Sequence, residues 1–439
     1  MSSTIESGPE SHPFGGVVAR LTGVNGVLVL LALITGPVQA RVLGPDGRGE
    51  LAAIITVLVL APVILDFGLA DFVARERARR RASGQVLGTA VPLALAFSAL
   101  GVAAAWPLSN LIGQDRDVVE HYVLLSLLLM PLFVFGWMVL GAARGAQRFD
   151  VIQRWQLIGA AGSGVVILGL AAIGKLTVSS AVIATMATNV AALAVSIPVL
   201  RETGRWQFDR RVVRPALGFG ARSWVLSLSA VANHRLDQAA MAAVVSSAEL
   251  GHYAVAVSLT AVASGFVGAV TTVLLPRVAQ EGSLAVPRIS RMTGLVLAST
   301  LASLTAISPV AVPLVFGRAF EDAVQLVAIL SVATTLAGVS AVIGSALQGH
   351  GRPQDSARPQ IAGLIITVVG LAFTLDWLGA LGAALVSCVA YTAVLAGTVH
   401  AASRAFETSP RELLVPRRED VAWLADRVRR RLSSRATPS

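Results

Sequence analysis

The stretch "GELAAIITVLVLAPVILDFGLADFVAR", Gly49 to Arg75, runs from Leu51 to Leu65 with nothing more polar than Thr56. About 20 such residues are enough for a helix to cross a hydrocarbon core. The run is continuous, so it is not a barrel strand, which would alternate with a period of two over a short segment. Similar segments recur at 15–40, 49–73, 86–106, 121–142, 156–174, 179–200, 219–246, 250–276, 292–316, 322–348, 360–376 and 378–402. The chain as a whole is 55% hydrophobic and 14% charged, with a mean hydropathy of +0.72. That is too apolar for a soluble globular protein. The expected fold class is therefore all-α: a polytopic membrane protein of twelve transmembrane helices.

The net charge of +10 raises the question of nucleic acid, and the placement of the cations answers it. With the N-terminus inside, the cytoplasmic, even-numbered loops, the ends of the spans beside them and both tails hold 29 of the 35 Lys and Arg residues. Five lie outside (Arg41, Arg48, Arg116, Lys175, Arg318), and Arg235 lies within a span. This asymmetry is the positive-inside rule and puts both termini in the cytoplasm. The implied anionic neighbours are inner-leaflet lipid headgroups, and no nucleic acid is expected. "PVQA" ending at Ala40 resembles a signal-peptide cleavage site, but the leading "MSSTIESGPESHP" carries Glu6 and Glu10 in place of a basic region. The single cysteine, Cys388, excludes an internal disulfide and a thiol metal site.

No loop is long enough for a soluble domain. The longest link, "RETGRWQFDRRVVRPALG", divides the chain into an N-terminal tail (1–14), a first six-helix bundle (15–200), a linker (201–218), a second bundle (219–402) and a basic tail (403–439). Laying Gly49–Arg75 over "GHYAVAVSLTAVASGFVGAVTTVLLPR" matches Gly49 with Gly251 and Arg75 with Arg277 at one offset of 202. A duplication of this kind gives parallel repeats about an axis along the membrane normal, with a substrate site between them. Pro62, Pro131 and Pro276 fall within spans, as hinges or as tolerated residues. In the tail, Ser409 and Glu412 have capping-box spacing. Beyond them Val421, Leu424, Val428 and Leu432 recur at helical spacing among Arg427 and Arg429 to Arg431, suiting either an interfacial helix or a solvated tail.

The seventh span is the exception to the apolar pattern. "SAVANHRLDQAAM", Ser229 to Met241, packs Asn233, His234, Arg235, Asp237 and Gln238 into six positions. At roughly 100° per residue, Ser223, Ser227, His234 and Gln238 fall on one stripe, with Asp237 on its flank, and lipid gives such a stripe nothing to bond. Arg235 and Asp237 lie roughly 160° apart on a regular helix and cannot pair. Arg235 therefore needs a partner elsewhere: a carboxylate such as Asp66, or an anionic substrate group. A guanidinium suits phosphate because its planar fork donates two parallel hydrogen bonds and stays charged at any cellular pH. Asp71 precedes Arg75 by four residues, the spacing of a helical ion pair. Asp66 has no such local partner and reads as a cavity acid or a buried structural acid. No catalytic motif, nucleotide-binding loop or metal-ligand spacing is present, so no cofactor and no enzymatic activity are expected.

The punctuating motifs, "RVLGPDGRGELA", "LDFGL", "NHRLD", "ELGHYAVA", "LLPRVA", "VFGRAFEDAV", "LQGHGRPQ" and "LGALGAALVSCVAY", resemble in order those of the bacterial polysaccharide flippases. These belong to the multidrug/oligosaccharidyl-lipid/polysaccharide exporter superfamily. The resemblance covers 15–402, with His234 as an insertion relative to the family pattern. It implies two six-helix bundles rocking around a central cationic cavity in the bacterial cytoplasmic membrane. The cargo it implies is an undecaprenyl-pyrophosphate-linked oligosaccharide, with glycan polymerase or glycosyltransferases as candidate partners. Under it Arg235 would receive the pyrophosphate or an acidic sugar, and Asp237 and Gln238 would contact hydroxyls or orient neighbours. His234 or Asp66 would couple to protons, and Asn233 completes the matched motif. The competing expectation is a cation-coupled multidrug antiporter of the same fold; against it, the first span holds no carboxylate. A membrane glycosyltransferase would need a larger outer loop than the nine residues around Asp46 and Glu50.

Overall fold

A computed structural model describes residues 14–79, 83–113, 116–417 and 419–420. The described residues contain helices and no strand. Two helices are too long for one passage: Phe14–Leu65 and Pro353–Phe406 have 52 and 54 residues. At 1.5 Å per residue each would extend about 80 Å, more than twice a hydrocarbon core of about 30 Å. Each reverses at one glycine in the left-handed region, Gly44 (φ 69°) and Gly379 (φ 49°). Only glycine takes that conformation cheaply, and Pro45 then starts the next helix with its φ already set.

Split at these two points and joined over short breaks, the chain makes twelve passes: α1 (14–43), α2 (45–78), α3 (83–113), α4 (117–145), α5 (Phe149–Ala172), α6 (Val178–Glu202), α7 (Arg210–Val244), α8 (247–281), α9 (Val286–Phe316), α10 (Ala323–Gly349), α11 (353–378) and α12 (380–406). By length and hydropathy alone, eight described helices qualify as spans, nine if the bent pair in α4 counts as one. The two reversals and the polar α7, which fails the hydropathy test, account for the rest. The supposed outer loop at 41–48 is helical on both sides of Gly44, so Arg48 stands in the first turn of α2 and points into the protein. Large apolar side chains such as Trp377, Phe373 and Val310 are 70–89% exposed, tolerable only where lipid covers them.

The buried side chains show how the two halves meet. One cluster joins Ile54, Met130 and Val182 of the first half to Met241, Tyr253 and Leu330 of the second. Toward the end of the molecule that carries the 203–209 linker, the core separates. Leu69, Leu87 and Met138 form one cluster, and Leu274, Ile343 and Leu347 another. The halves are thus welded by one shared core at one end; at the linker end they have separate cores, and there α7 of the second half packs on α2 of the first through Phe219 and Phe72. At the weld α2 crosses α8 backbone on backbone: a Cβ on Gly49 would lie 1.7 Å from the Ser247 carbonyl oxygen, and one on Gly251 would lie 2.1 Å from that of Pro45. Pro45 and Ser247 are separated by the same 202 positions as Gly49 and Gly251.

Ser409 and Glu412 cap a short helix, α13 (Pro410–Leu414), with both bonds of the capping box in place. Leu413 is buried, and its helix packs on α9 and α12. Arg291 of α9 donates to Asp420 through Nε (2.7 Å) and Nη2 (3.4 Å) and to the Glu412 carbonyl through Nη1 (2.6 Å). The apolar stripe at 421–432 lies outside the described residues.

Candidate functional site

Helix α7 starts on Asp209, whose side chain accepts from the Arg211 N–H. Its 35 residues form a helix in spite of their polarity because neighbouring helices supply each polar side chain with a partner. Near the linker end it leans on α2: Ser223 (2.6 Å) and Ser227 (3.2 Å) donate to Asp71, and Trp224 Nε1 donates to the Ile64 carbonyl (2.9 Å). Asp71 is therefore not the partner of Arg75. It pairs with Arg144 of α4 at 3.1 Å, while the Arg75 guanidinium lies 4.5 Å above the Phe219 ring.

Midway along α7, Asn233 Nδ2 donates to both the side chain (2.8 Å) and the carbonyl (3.1 Å) of Gln360 in α11. The hydroxyl of Tyr391 in α12 donates to the Asn233 carbonyl at 2.5 Å and lies 3.4 Å from His234 Nδ1. Asp237 is buried; it accepts from the hydroxyl of Tyr253 in α8 and from the Gln238 N–H (2.7 Å). Gln238 Oε1 accepts from Thr56 of α2 (3.3 Å) and from Arg235 Nη1 (3.0 Å). The polar stripe thus serves several helices: Ser223, Ser227 and Gln238 face α2, while His234 is exposed to a cavity of about 650 Å³ between α7, α8, α10 and α11.

Among the described residues Arg235 forms no ion pair, and Asp66 is not its partner. Asp66 is buried at the break in α2 and accepts from the Ala70 N–H (3.0 Å), capping the helix that restarts at Leu69. Arg235's charged neighbours are instead Asp237 and a second guanidinium, that of Arg48. Arg48 donates to Gln39 of α1 (3.1 Å) and Ser258 of α8 (3.2 Å), and its Nε is buried without a partner. Two guanidiniums from opposite halves therefore neighbour each other, and the one carboxylate beside Arg235, Asp237, already accepts two hydrogen bonds. Such an arrangement favours an incoming anion with several oxygens. Sequence reasoning missed Arg48 because it adjoins a Gly-Pro turn. Tyr253, Gln360 and Tyr391 give no signal of their own, each being one polar residue in an apolar helix. Among the described residues, no three His, Cys, Asp or Glu side chains are placed to hold a metal.

The backbone superposes on three solved transporters. The lipid II flippase MurJ in an inward closed conformation matches with a TM-score of 0.69 at 11% identity, covering 88% of this chain and 89% of that one. An inward-facing multidrug MATE transporter of the MOP superfamily matches at 0.64 and 15% identity, covering 90% and 99%. An outward-facing MATE transporter of that superfamily matches at 0.57 and 16% identity, covering 90% and 97%. No curated protein sequence matches the chain. A family model described as polysaccharide biosynthesis protein matches residues 38–325. A match over more than half of the length makes the chain a member of the polysaccharide biosynthesis protein family, with the fold of the flippase and transporters on which it superposes.

Proposed function

We propose that this protein flips an undecaprenyl-pyrophosphate-linked oligosaccharide from the inner to the outer leaflet of a bacterial cytoplasmic membrane, by alternating access, for assembly of a surface polysaccharide. The observation that carries this reading is the Arg48 and Arg235 pair, two guanidiniums at the junction of the halves with less acid than base around them. Leaving an Arg unpaired in a membrane interior costs on the order of 2.5–3.5 kcal/mol, so a bound pyrophosphate would relieve the cost at the moment of loading. Gln238 holds Arg235 in place, and Tyr253 holds Asp237 away from it. The arginine-rich linker and tail place the end with separate cores at the cytoplasm, where the donor lipid is made. A cation-exporting antiporter would need a carboxylate as the dominant charge at this junction.

The test is the amount and leaflet of lipid-linked oligosaccharide in cells depleted of the protein and complemented with wild type, Arg48→Gln or Arg235→Gln. The expected outcome is a cytoplasm-facing intermediate that wild type clears and neither variant does at equal expression. Normal glycolipid with new sensitivity to cationic dyes would replace this reading with the antiporter.

A further inference from the structure

The cavity of about 650 Å³ beside α7 lies in the second half alone, on the linker side of Arg235, and no part of the reading above uses it. It falls within the range of about 300–1,000 Å³ usual for ligand sites. Among the described residues His234 is the one titratable group in its lining; the other polar groups are hydroxyls and amides, including Ser229, Thr272, Ser340, Ser345, Ser356 and Gln360. Charge is kept out by helix register. Pro353, Ser356, Ala357 and Gln360 form the inward face of α11 at positions i, i+3, i+4 and i+7, whereas Asp355 and Arg358 in the same two turns face away and pair with each other at 3.6 Å.

The hydroxyls are also polarised in one sense. Ser229, Thr272, Ser340 and Ser345 each donate to a carbonyl of their own helix, at 2.7, 2.7, 2.7 and 2.8 Å. Their remaining capacity is to accept. Ser356 and Gln360 complement them, since each accepts from a neighbouring amide and keeps a donor, so a ligand that fits must both donate to the four oxygens and accept from these two, as a hydroxyl does. It must also carry no full charge, because a buried ion without a counter-charge loses more hydration than such acceptors restore.

We infer that this cavity is a subsite for an uncharged saccharide, hydroxyl-rich and near neutral, seated while its diphosphate rests on Arg48 and Arg235. The inference rests on the flippase reading and narrows its cargo to lipids whose first sugars are neutral. The shape of the site matches that order: His234 and Ser229, at the α7 side of the cavity, are within six positions of Arg235, so phosphate and sugar can occupy adjoining space.

The experiment measures binding of a tetraprenyl diphosphate, with and without one neutral N-acetylhexosamine, to the purified full chain and to a Thr271→Val, Thr272→Val, Ser356→Ala variant. The expected result is that wild type binds the glycosylated lipid more tightly, and that the variant loses about tenfold for it through two or three lost hydrogen bonds while binding the bare diphosphate as before. Thr272→Val alone gives the same readout in smaller measure if the triple variant does not fold. Equal wild-type affinity for both lipids, an equal loss for both in the variant, or preference for a hexuronate or a cationic dye in this cavity overturns the subsite and leaves the phosphate reading standing. Binding of the saccharide with no contribution from the diphosphate overturns the phosphate reading and leaves the subsite. Binding of neither lipid overturns both.

Discussion

Two sets of buried arginines in this molecule have opposite fates. Arg291, 6% exposed, is saturated: both oxygens of Asp420 and the Glu412 carbonyl take its N–H groups. Arg48 and Arg235 are held by neutral amides and a hydroxyl, with one Nε unused. The chain can evidently satisfy a guanidinium where it needs a fixed joint. At the meeting of its two halves it leaves two of them short of acid. The difference separates an arginine that holds the fold together from arginines that await something else.

The largest expected effect tests the first kind. Arg291→Leu removes both guanidinium bonds of the buried Asp420, leaving it Arg288 at 3.8 Å and the Arg417 N–H, and should cost about 1–3 kcal/mol of stability, read as a lower melting temperature in detergent. Arg235→Leu should leave melting unchanged or raise it, since it removes an under-partnered charge, yet abolish glycolipid export. If both variants melt equally early, the contrast between the two sets disappears.

A smaller effect follows from acid. The hydrogen bond from Arg291 holds the Asp420 carboxyl below its ordinary range. A depressed carboxyl contributes stability that is complete above its unfolded value of about 3.9 and is lost as pH falls through the lower folded value. Protease access to the 408–420 segment should therefore rise as pH drops below about 4, and Asp420→Asn should expose it at neutral pH. No change with pH would mean that the buried Leu413 alone seats the tail. The smallest effect is that of an exposed pair: Arg358→Gln breaks its contact with Asp355, and melting should move by no more than about 1 kcal/mol of stability.

Hydropathy made most of the fold legible, because eleven passes are apolar enough to be read one segment at a time. The twelfth, α7, was recognisable by its place in the series; its polarity defeats the hydropathy test. Turn chemistry was read less well. "LGPDGR" looked like an outer loop, but one left-handed glycine suffices to reverse the chain, and Arg48 was assigned to solvent in consequence. In the site, Asn233, Arg235, Asp237 and Gln238 announced themselves by being polar where the chain should be greasy. Their partners did not. Tyr253 and Tyr391 are 16 and 158 positions from the residues they bond, a separation that local pattern cannot bridge. Asp66 stayed between cavity acid and buried structural acid for the opposite reason: its partner is the backbone four residues on, which any sequence contains.

The crossing of Gly49 and Gly251 has a consequence for motion. Interlocked side chains behave like a dovetail and must change rotamer before a joint can part. At this one crossing neither helix presents a tooth, and the bare main chains touch like two smooth rods, while the interlocked Ile54 and Tyr253 belong to the core beside it. The crossing is thus a bare pivot within a toothed joint, and one added methyl group at either position would act as a wedge.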